Sequence, residues 1–467
     1  MRAGGPRTQE KFDERRLTSY AQILAPLLMP PPYNPPAKHP LRHLRASDLR
    51  ALAQLAAEGT EGISDIVEGV HRSVWRTLGA PVGEPGRTRG ITGLVFRSIR
   101  GIARRVGRGT DRGLAWFEPR LAARDEAKPS TPEREAVLAA LNGVMGDRLA
   151  ASGNSLATPM TLRHRGVALG QAQPPLPEAT GKVLVLIHGL CMNDLQWQTR
   201  HEGQVVDHGE TLATELGYTP IYVRYNTGRH ISENGRDLSA HLDRLIAHWP
   251  VPVEDLTVLA HSMGGLVTRS ACHYAKQDSS PWLGCLKNIV FLATPHHGAP
   301  LERAGNWVDV LLAANPYAAP FAKLGQLRSA GITDLRYSNL LDEDWQGQDR
   351  FERKPDDRRI VPLPEGVACH AIAATTAADR QALSNRMIGD GLVLVESALG
   401  QHADSRRSLA IPKANRWIGY RMNHLALLGR REVGRVVAGW LGSPNTGSSR
   451  SCSRASPWAE HTITEKP

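Results

Sequence analysis

The chain contains no run of about 18 uninterrupted apolar residues, the length a bilayer-spanning helix needs, so no membrane span is expected. No export signal is expected either. Met1 to Arg16 is polar and charged, and the first apolar patch, Ile23 to Met29, is broken by Pro26 and runs into Pro30-Pro31-Pro32, too short and interrupted for a secretory leader. Cysteine is scarce. The five present (Cys191, Cys272, Cys285, Cys369, Cys452) are scattered, with no C-x-x-C. That speaks against a zinc site and suits free thiols in a reducing compartment, with room for one disulfide. Aromatic residues are few, at 5%. These absences lead to the expectation of a cytoplasmic protein, at most peripheral to the inner face of the membrane.

What is present is unevenly charged. Residues 1–165 hold 26 Lys+Arg against 16 Asp+Glu, and the remaining 302 hold 31 against 30, so nearly all of the net +11 belongs to the N-terminal third. Within it, Ile91, Val95, Ile99, Ile102 and Val106 share one helical face, and Arg97, Arg100, Arg104, Arg105, Arg108 and Arg112 lie mostly around the other. A basic amphipathic helix over 91–117 can lie on an anionic membrane surface. The same pattern also fits a helix packed on its neighbours with a solvated basic face, and Gly93, Gly101, Gly107 and Gly109 suit close packing. Nucleic acid is the less favoured acidic partner. Oligomeric state is not legible.

The pattern along the chain divides it. Residues 1–40 are Pro-rich and are expected to form a disordered arm. Residues 41–165 read as a basic helical module. Its spacings of three and four begin at Leu44, a Gly/Pro linker interrupts it at Gly79 to Gly90, and a helix starts at Thr131-Pro132-Glu133, where a capping hydroxyl precedes Pro at the first helical position. From Lys182 the pattern changes. Strands at Val183–Ile187, 220–225, 256–259, 288–293, 367–375 and 416–421 alternate with helical stretches, one of them opened by Ser232 or Asn234. This alternation predicts an α/β domain over 166–442 with a mostly parallel sheet and helices on both faces. Residues 299–360 interrupt it as a cap or lid insertion, and the Ser-rich tail 443–467 is expected to be disordered.

Leu256 to Leu266 concentrates the chemistry. A short apolar strand meets Ala260-His261-Ser262-Met263-Gly264-Gly265, and an apolar helical pattern follows. Small residues two before and two after Ser262 suit the strained strand-to-helix turn that projects a nucleophilic serine above a sheet, although Ala260 stands where Gly is usual. An ordinary turn containing a serine fits the pentapeptide equally well. Acyl transfer by such a serine needs a base, an orienting acid and two N–H donors for the oxyanion. In the chain order serine, acid, histidine, Asp390 in Gly389-Asp390-Gly391 and His424 in Met422-Asn423-His424 complete the set. The rival acids are Asp342, Asp344 and Asp404, and the rival base is His402. Thr294-Pro295-His296-His297-Gly298 follows a strand end and is read as a wall of the site, together with His188 and His261. No H-E-x-x-H set accompanies the adjacent histidines, so neither a metal nor a cofactor is expected.

Five ordered segments together resemble the α/β-hydrolase lipases and esterases, especially the bacterial triacylglycerol lipases and GPI inositol-deacylase-like hydrolases. They are Val185 to Leu190, Ala260 to Gly265, Ala293 to Gly298, Gly389 to Val393 and Tyr420 to Leu425, spread over roughly 181–441. The resemblance implies ester hydrolysis through an acyl-enzyme, with an oxyanion hole from the backbone N–H groups of Leu190, after His188-Gly189, and of Met263. Calcium-dependent lipases carry an Asp two residues after the catalytic His. Ala426 stands there in this chain, so no calcium site is carried over. Trp307 and Leu311 in the insertion are candidates to line an acyl pocket. The expected activity is therefore hydrolysis of an apolar acyl ester. An acyltransferase or amidase using the same triad, or a non-catalytic binding protein on this fold, are the alternatives.

Overall fold

The run Lys182-Val-Leu-Val-Leu-Ile187 is apolar at consecutive positions, so as a strand it needs cover on both faces of its sheet. A computed structural model of the chain describes residues 48, 51, 130–170, 176, 178–298, 328–348, 357–380 and 389–443. In it this run is β3 (Lys182–Ile187), buried from its second residue on. The other strands of the main sheet are β1 (Thr161–His164), β2 (Val167–Ala168), β6 (Thr219–Arg224), β7 (Asp255–His261), β8 (Leu286–Leu292), β9 (Ala368–Thr375) and β10 (Arg416–Tyr420). A separate hairpin joins β4 (Gln198–His201) to β5 (Gln204–Asp207). The sheet order is β10-β9-β8-β7-β3-β6-β1-β2. The six strands from β10 to β6 are mutually parallel, and β1 and β2 add an antiparallel edge.

Two apolar layers follow from the strand period of two. Val183, Val185 and Ile187 face a layer that includes Leu141 and Val144 of α1 (Pro132–Ala151), Leu238 and Leu242 of α3 (Ile231–Ala247), and Leu266 and Val267 of α4 (Met263–Asp278). Leu184 and Leu186 face Leu212 of α2 (His208–Leu216) and Val433 and Val437 of α6 (Arg431–Leu441). A short helix α5 (Ala330–Tyr337) belongs to the inserted region.

Thr131 caps α1 by accepting from the Arg134 N–H at 3.3 Å. The start of α3 differs from expectation. The helix begins at Ile231, and neither Ser232 nor Asn234 caps it. A carboxylate distant in sequence does so instead: Asp334 of α5 accepts from the Ile231 N–H at 2.9 Å. That frees Ser232 Oγ to donate to Asp342 at 2.6 Å and Asn234 Nδ2 to donate to the Asn226 carbonyl at 3.0 Å.

The boundary expected between residues 165 and 166 falls inside this sheet, because β1 pairs with both β2 and β6, and α1 belongs to the same buried apolar layer as Val183, Val185 and Ile187 of β3. An ion-pair network fastens this edge. Asp194 pairs with Arg163 of β1 at 3.1 Å and with Arg224 of β6, and Arg224 also reaches Glu135 of α1. Of the segment before residue 130 only Asp48 and Ala51 are described. Asp48 accepts from Arg134 Nε at 2.8 Å. The Pro-rich arm, the basic stretch 91–117, Trp307, Leu311 and the tail beyond Ser443 lie outside the described residues. Among the described residues no helix is long and apolar enough to cross a membrane. Cys191, Cys272 and Cys369 are buried thiols outside any disulfide, and Cys285 is disulfide-bonded.

Candidate active site

Strand β7 ends at His261 and helix α4 begins at Met263, so Ser262 alone makes the turn. It does so at φ +54°, ψ −121°, a strained conformation for a residue with a Cβ. The Ser262 N–H donates to the Leu292 carbonyl of β8 at 2.8 Å, which holds the turn to the sheet. The small residues beside it have a steric cause. A Cβ on Gly264 would stand 2.5 Å from the Ile187 carbonyl oxygen and 2.8 Å from that of His188, so only glycine lets the first turn of α4 sit on the end of β3. Ala260 is fully buried in the apolar layer on the α4 side, where its methyl group is accommodated.

The end of β3 leads into His188-Gly189-Leu190-Cys191. Tyr225 Oη donates to the His188 carbonyl at 2.8 Å, and the Cys191 N–H donates to Thr227 Oγ1 at 3.1 Å. Both anchor this loop. A Cβ on Gly189 would stand 3.0 Å from Ser262 Cβ, so the loop lies directly against the serine. The backbone N–H groups of Leu190 and Met263 have no acceptor among the described residues. They are free to take an oxygen that carries developing charge.

Asp390 and His424 follow β9 and β10, at the same carboxyl edge of the sheet as Ser262. Asp390 is buried, and its Oδ1 accepts from the Leu392 N–H at 2.9 Å and the Val393 N–H at 2.8 Å. Its Oδ2 lies 2.7 Å from His424 Nδ1, and its carbonyl accepts from the His424 N–H at 3.1 Å. A carboxylate only accepts, so Nδ1 carries a proton, and in the neutral form of the ring Nε2 is the atom with the lone pair. That Nε2 is buried and has no hydrogen-bond partner, so it is not bonded to Ser262 Oγ in this state. Such contacts are often long in free enzymes and tighten with substrate. An imidazole oriented by a carboxylate, a strained serine and two N–H groups with no acceptor among the described residues are the parts that serine-based acyl transfer uses.

The rivals are committed elsewhere. Asp404 is half-buried and pairs with Arg406 at 2.8 Å, Asp342 holds Arg236 at 2.6 Å, and Asp344 Oδ2 accepts from the Leu340 and Leu341 N–H groups. His402 lies beside His297, with ring centroids 4.8 Å apart.

Most of the expected wall histidines are enclosed. His188 stacks on Tyr225 with ring centroids 4.4 Å apart and donates from Nδ1 to the Gly189 carbonyl at 2.9 Å. Burial holds its imidazole down to about 4, so it is neutral. His296 is buried edge-on to Phe291, and burial and the Arg269 guanidinium keep it well below the usual range. His297 is half-buried and donates its backbone N–H to Ser397 Oγ at 3.1 Å. His261 lies beside His424. Among the described residues no group of three or more His, Cys, Asp or Glu side chains is placed to hold a metal.

Sequence reading passed over the braces. Tyr225 and Thr227 hold the loop after β3, and His208 Nε2 donates to the Leu427 carbonyl at 2.8 Å just beyond His424. None sits in a motif, and each acts across a long separation in sequence, so no local signal marks it.

The strand order, with the turn after β7, the acid after β9 and the histidine after β10, decides the architecture. This is an α/β-hydrolase fold. Residues 178–357 match the family model of the PGAP1-like alpha/beta domain. No curated protein matches the chain. Similar solved structures include a Bacillus licheniformis lipase, BlEst2 in mature form, at 15% identity over 61% of this chain and 99% of that one, TM-score 0.37. Aspergillus fumigatus lipase B is 10% identical over 86% of each chain, TM-score 0.35. The metagenomic carboxyl esterase MGS0156 is 15% identical over 64% of this chain and 86% of that one, TM-score 0.30. Likenesses this distant leave reaction and substrate to the site itself.

Proposed function

We propose that the α/β-hydrolase domain cleaves carboxylic esters of apolar acyl chains through an acyl-enzyme. Ser262 is the nucleophile, His424 the general base and acid, and Asp390 the orienting acid. The observation that carries this reading is the Asp390–His424 hydrogen bond, which takes up Nδ1 and keeps Nε2 for the proton of the serine. Ser262 Oγ attacks the ester carbonyl carbon and its proton passes to His424 Nε2. The carbonyl oxygen becomes an oxyanion held by the Leu190 and Met263 N–H groups. Collapse breaks the bond to the alcohol, which leaves with the proton from Nε2. Water then repeats the sequence on the acyl-serine and releases the acid.

Hydrolysis of a p-nitrophenyl ester series tests this. The wild-type chain is expected to turn over and to be labelled by a fluorophosphonate at Ser262. Ser262→Ala should lose at least about 10³-fold in kcat and all labelling. Equal rates in the two proteins would sink the reading. Transfer of the acyl group to added alcohols or amines in preference to water would point to an acyltransferase, and turnover of amides alone to an amidase. The basic stretch 91–117 is proposed to hold the chain at an anionic membrane surface, on its charge and periodicity. Full-length protein should co-sediment with phosphatidylserine vesicles and not with phosphatidylcholine vesicles, and binding to RNA or DNA instead would overturn that.

A further inference from the structure

His261 precedes the serine on β7, and on the strand period it points with Leu259 into the layer that also holds Met422 and Leu427. It is completely buried, so it does not line an open pocket. Its Nε2 lies 3.2 Å from the His424 carbonyl oxygen, and the two imidazoles sit 4.7 Å apart, tilted by 51°. A carbonyl oxygen only accepts, so Nε2 of His261 carries the proton and Nδ1 is bare. On the other side, a Cβ on Gly189 would stand 3.1 Å from His261 Nδ1, so the loop leading to Leu190 packs against the same ring. One imidazole therefore touches the loop of the proposed base and the loop of the proposed oxyanion donors, and its own backbone leads into Ser262.

We propose that His261 is a positioning residue, a neutral spacer that sets His424 and the Gly189-Leu190 loop at fixed distances from Ser262. The role requires the ring to stay uncharged. His424 becomes an imidazolium each time it accepts the serine proton, and a second cation 4.7 Å away would oppose that step. Burial and the neighbouring His424 both hold His261 well below the usual histidine range. Asp390 orients the His424 ring from Nδ1, while His261 fixes the backbone that carries the ring. The two constraints act on different atoms of one residue.

The inference rests on the reading of Ser262, Asp390 and His424 as the reacting set, and the experiment separates the two. Wild type, Ser262→Ala, His261→Leu and His261→Gln are compared in p-nitrophenyl butyrate turnover, fluorophosphonate labelling and thermal melting. Gln places its Nε2 donor at about the reach of the imidazole Nε2, and Leu has no donor. His261→Leu should lower kcat by about tenfold to a hundredfold with KM within about twofold, because misplacement of the reacting groups acts on the transition state and not on uniform binding. His261→Gln should recover most of the loss. If the Leu variant does not fold, His261→Asn, whose donor falls short of the carbonyl, takes its place. A Leu or Asn variant with wild-type kcat, or a folded Gln variant as slow as Leu, overturns the positioning role while Ser262 labelling still supports the hydrolase. A Ser262→Ala protein as active as wild type overturns both.

Discussion

Asp390→Asn is the most discriminating substitution at this site, because the loop dictates how the new amide must lie. Oδ1 of Asp390 already accepts from two backbone N–H groups, Leu392 at 2.9 Å and Val393 at 2.8 Å. An asparagine keeps those bonds only with its carbonyl oxygen in that position, which turns its NH2 group towards His424 Nδ1. Two N–H groups cannot share the 2.7 Å contact seen between Oδ2 and Nδ1. The imidazole then adopts the other tautomer, with the proton on Nε2, and the base proposed for Ser262 is lost. A wrong tautomer in a serine triad lowers kcat by about 10⁴-fold, and a loss of about 10³ to 10⁴ is expected for Asp390→Asn. Its melting temperature should fall only modestly, since the bonds to Leu392 and Val393 survive. Asp390→Ala should lose the loop anchors too, at a cost of about 1–3 kcal/mol for donors left buried. Ester turnover and urea denaturation of both variants separate the two roles. An Asp390→Asn enzyme within about threefold of wild-type kcat would refute the tautomer argument.

Two further outcomes follow from buried charge. Asp194→Ala removes the carboxylate shared by Arg163 and Arg224 and leaves Glu135 paired with Arg224, and unfolding in urea should show a loss of about 3–5 kcal/mol; a change below about 1 kcal/mol would mean that the network is solvated. Stability should also depend on pH through the buried imidazoles. His188, His297 and His370 are each pushed down to about 4 by burial from an ordinary 6.5. Between those values the unfolded chain binds protons that the folded chain refuses, so their contribution is complete above about pH 6.5 and lost as pH falls towards about 4. Melting temperatures measured from about pH 7.5 to 4.5 should decline through that window. A flat profile from about pH 7 to pH 5 would contradict the burial of neutral histidines.

Much of the sheet could be read from local pattern. Strands β3, β7 and β8 are apolar runs bounded by polar residues, and such runs have few options other than a central parallel sheet. The turn at Ser262 was legible because steric need restricts positions 260 and 264 to small residues. The start of α3 was not legible from neighbours, because its cap is Asp334, 103 residues on. The surroundings of α1 were not legible for a similar reason. Helical periodicity in α1 says that it packs, but not against what, and the apolar layer it joins includes strands that begin after it.

The sequence by itself determined which residues have the right chemistry and order: a serine between small residues, an aspartate between glycines, a histidine before the last helix. Short-range sterics and hydrophobic period are local properties, and they are written in adjacent residues. Only the tertiary structure decided how those residues stand to one another. It gave Asp390 two oxygens with separate tasks, fixed the proton of His424 on Nδ1, and enclosed His188, His261 and His296. Hydrogen-bond direction and desolvation depend on which atoms meet across long stretches of chain, and composition and spacing carry no record of that.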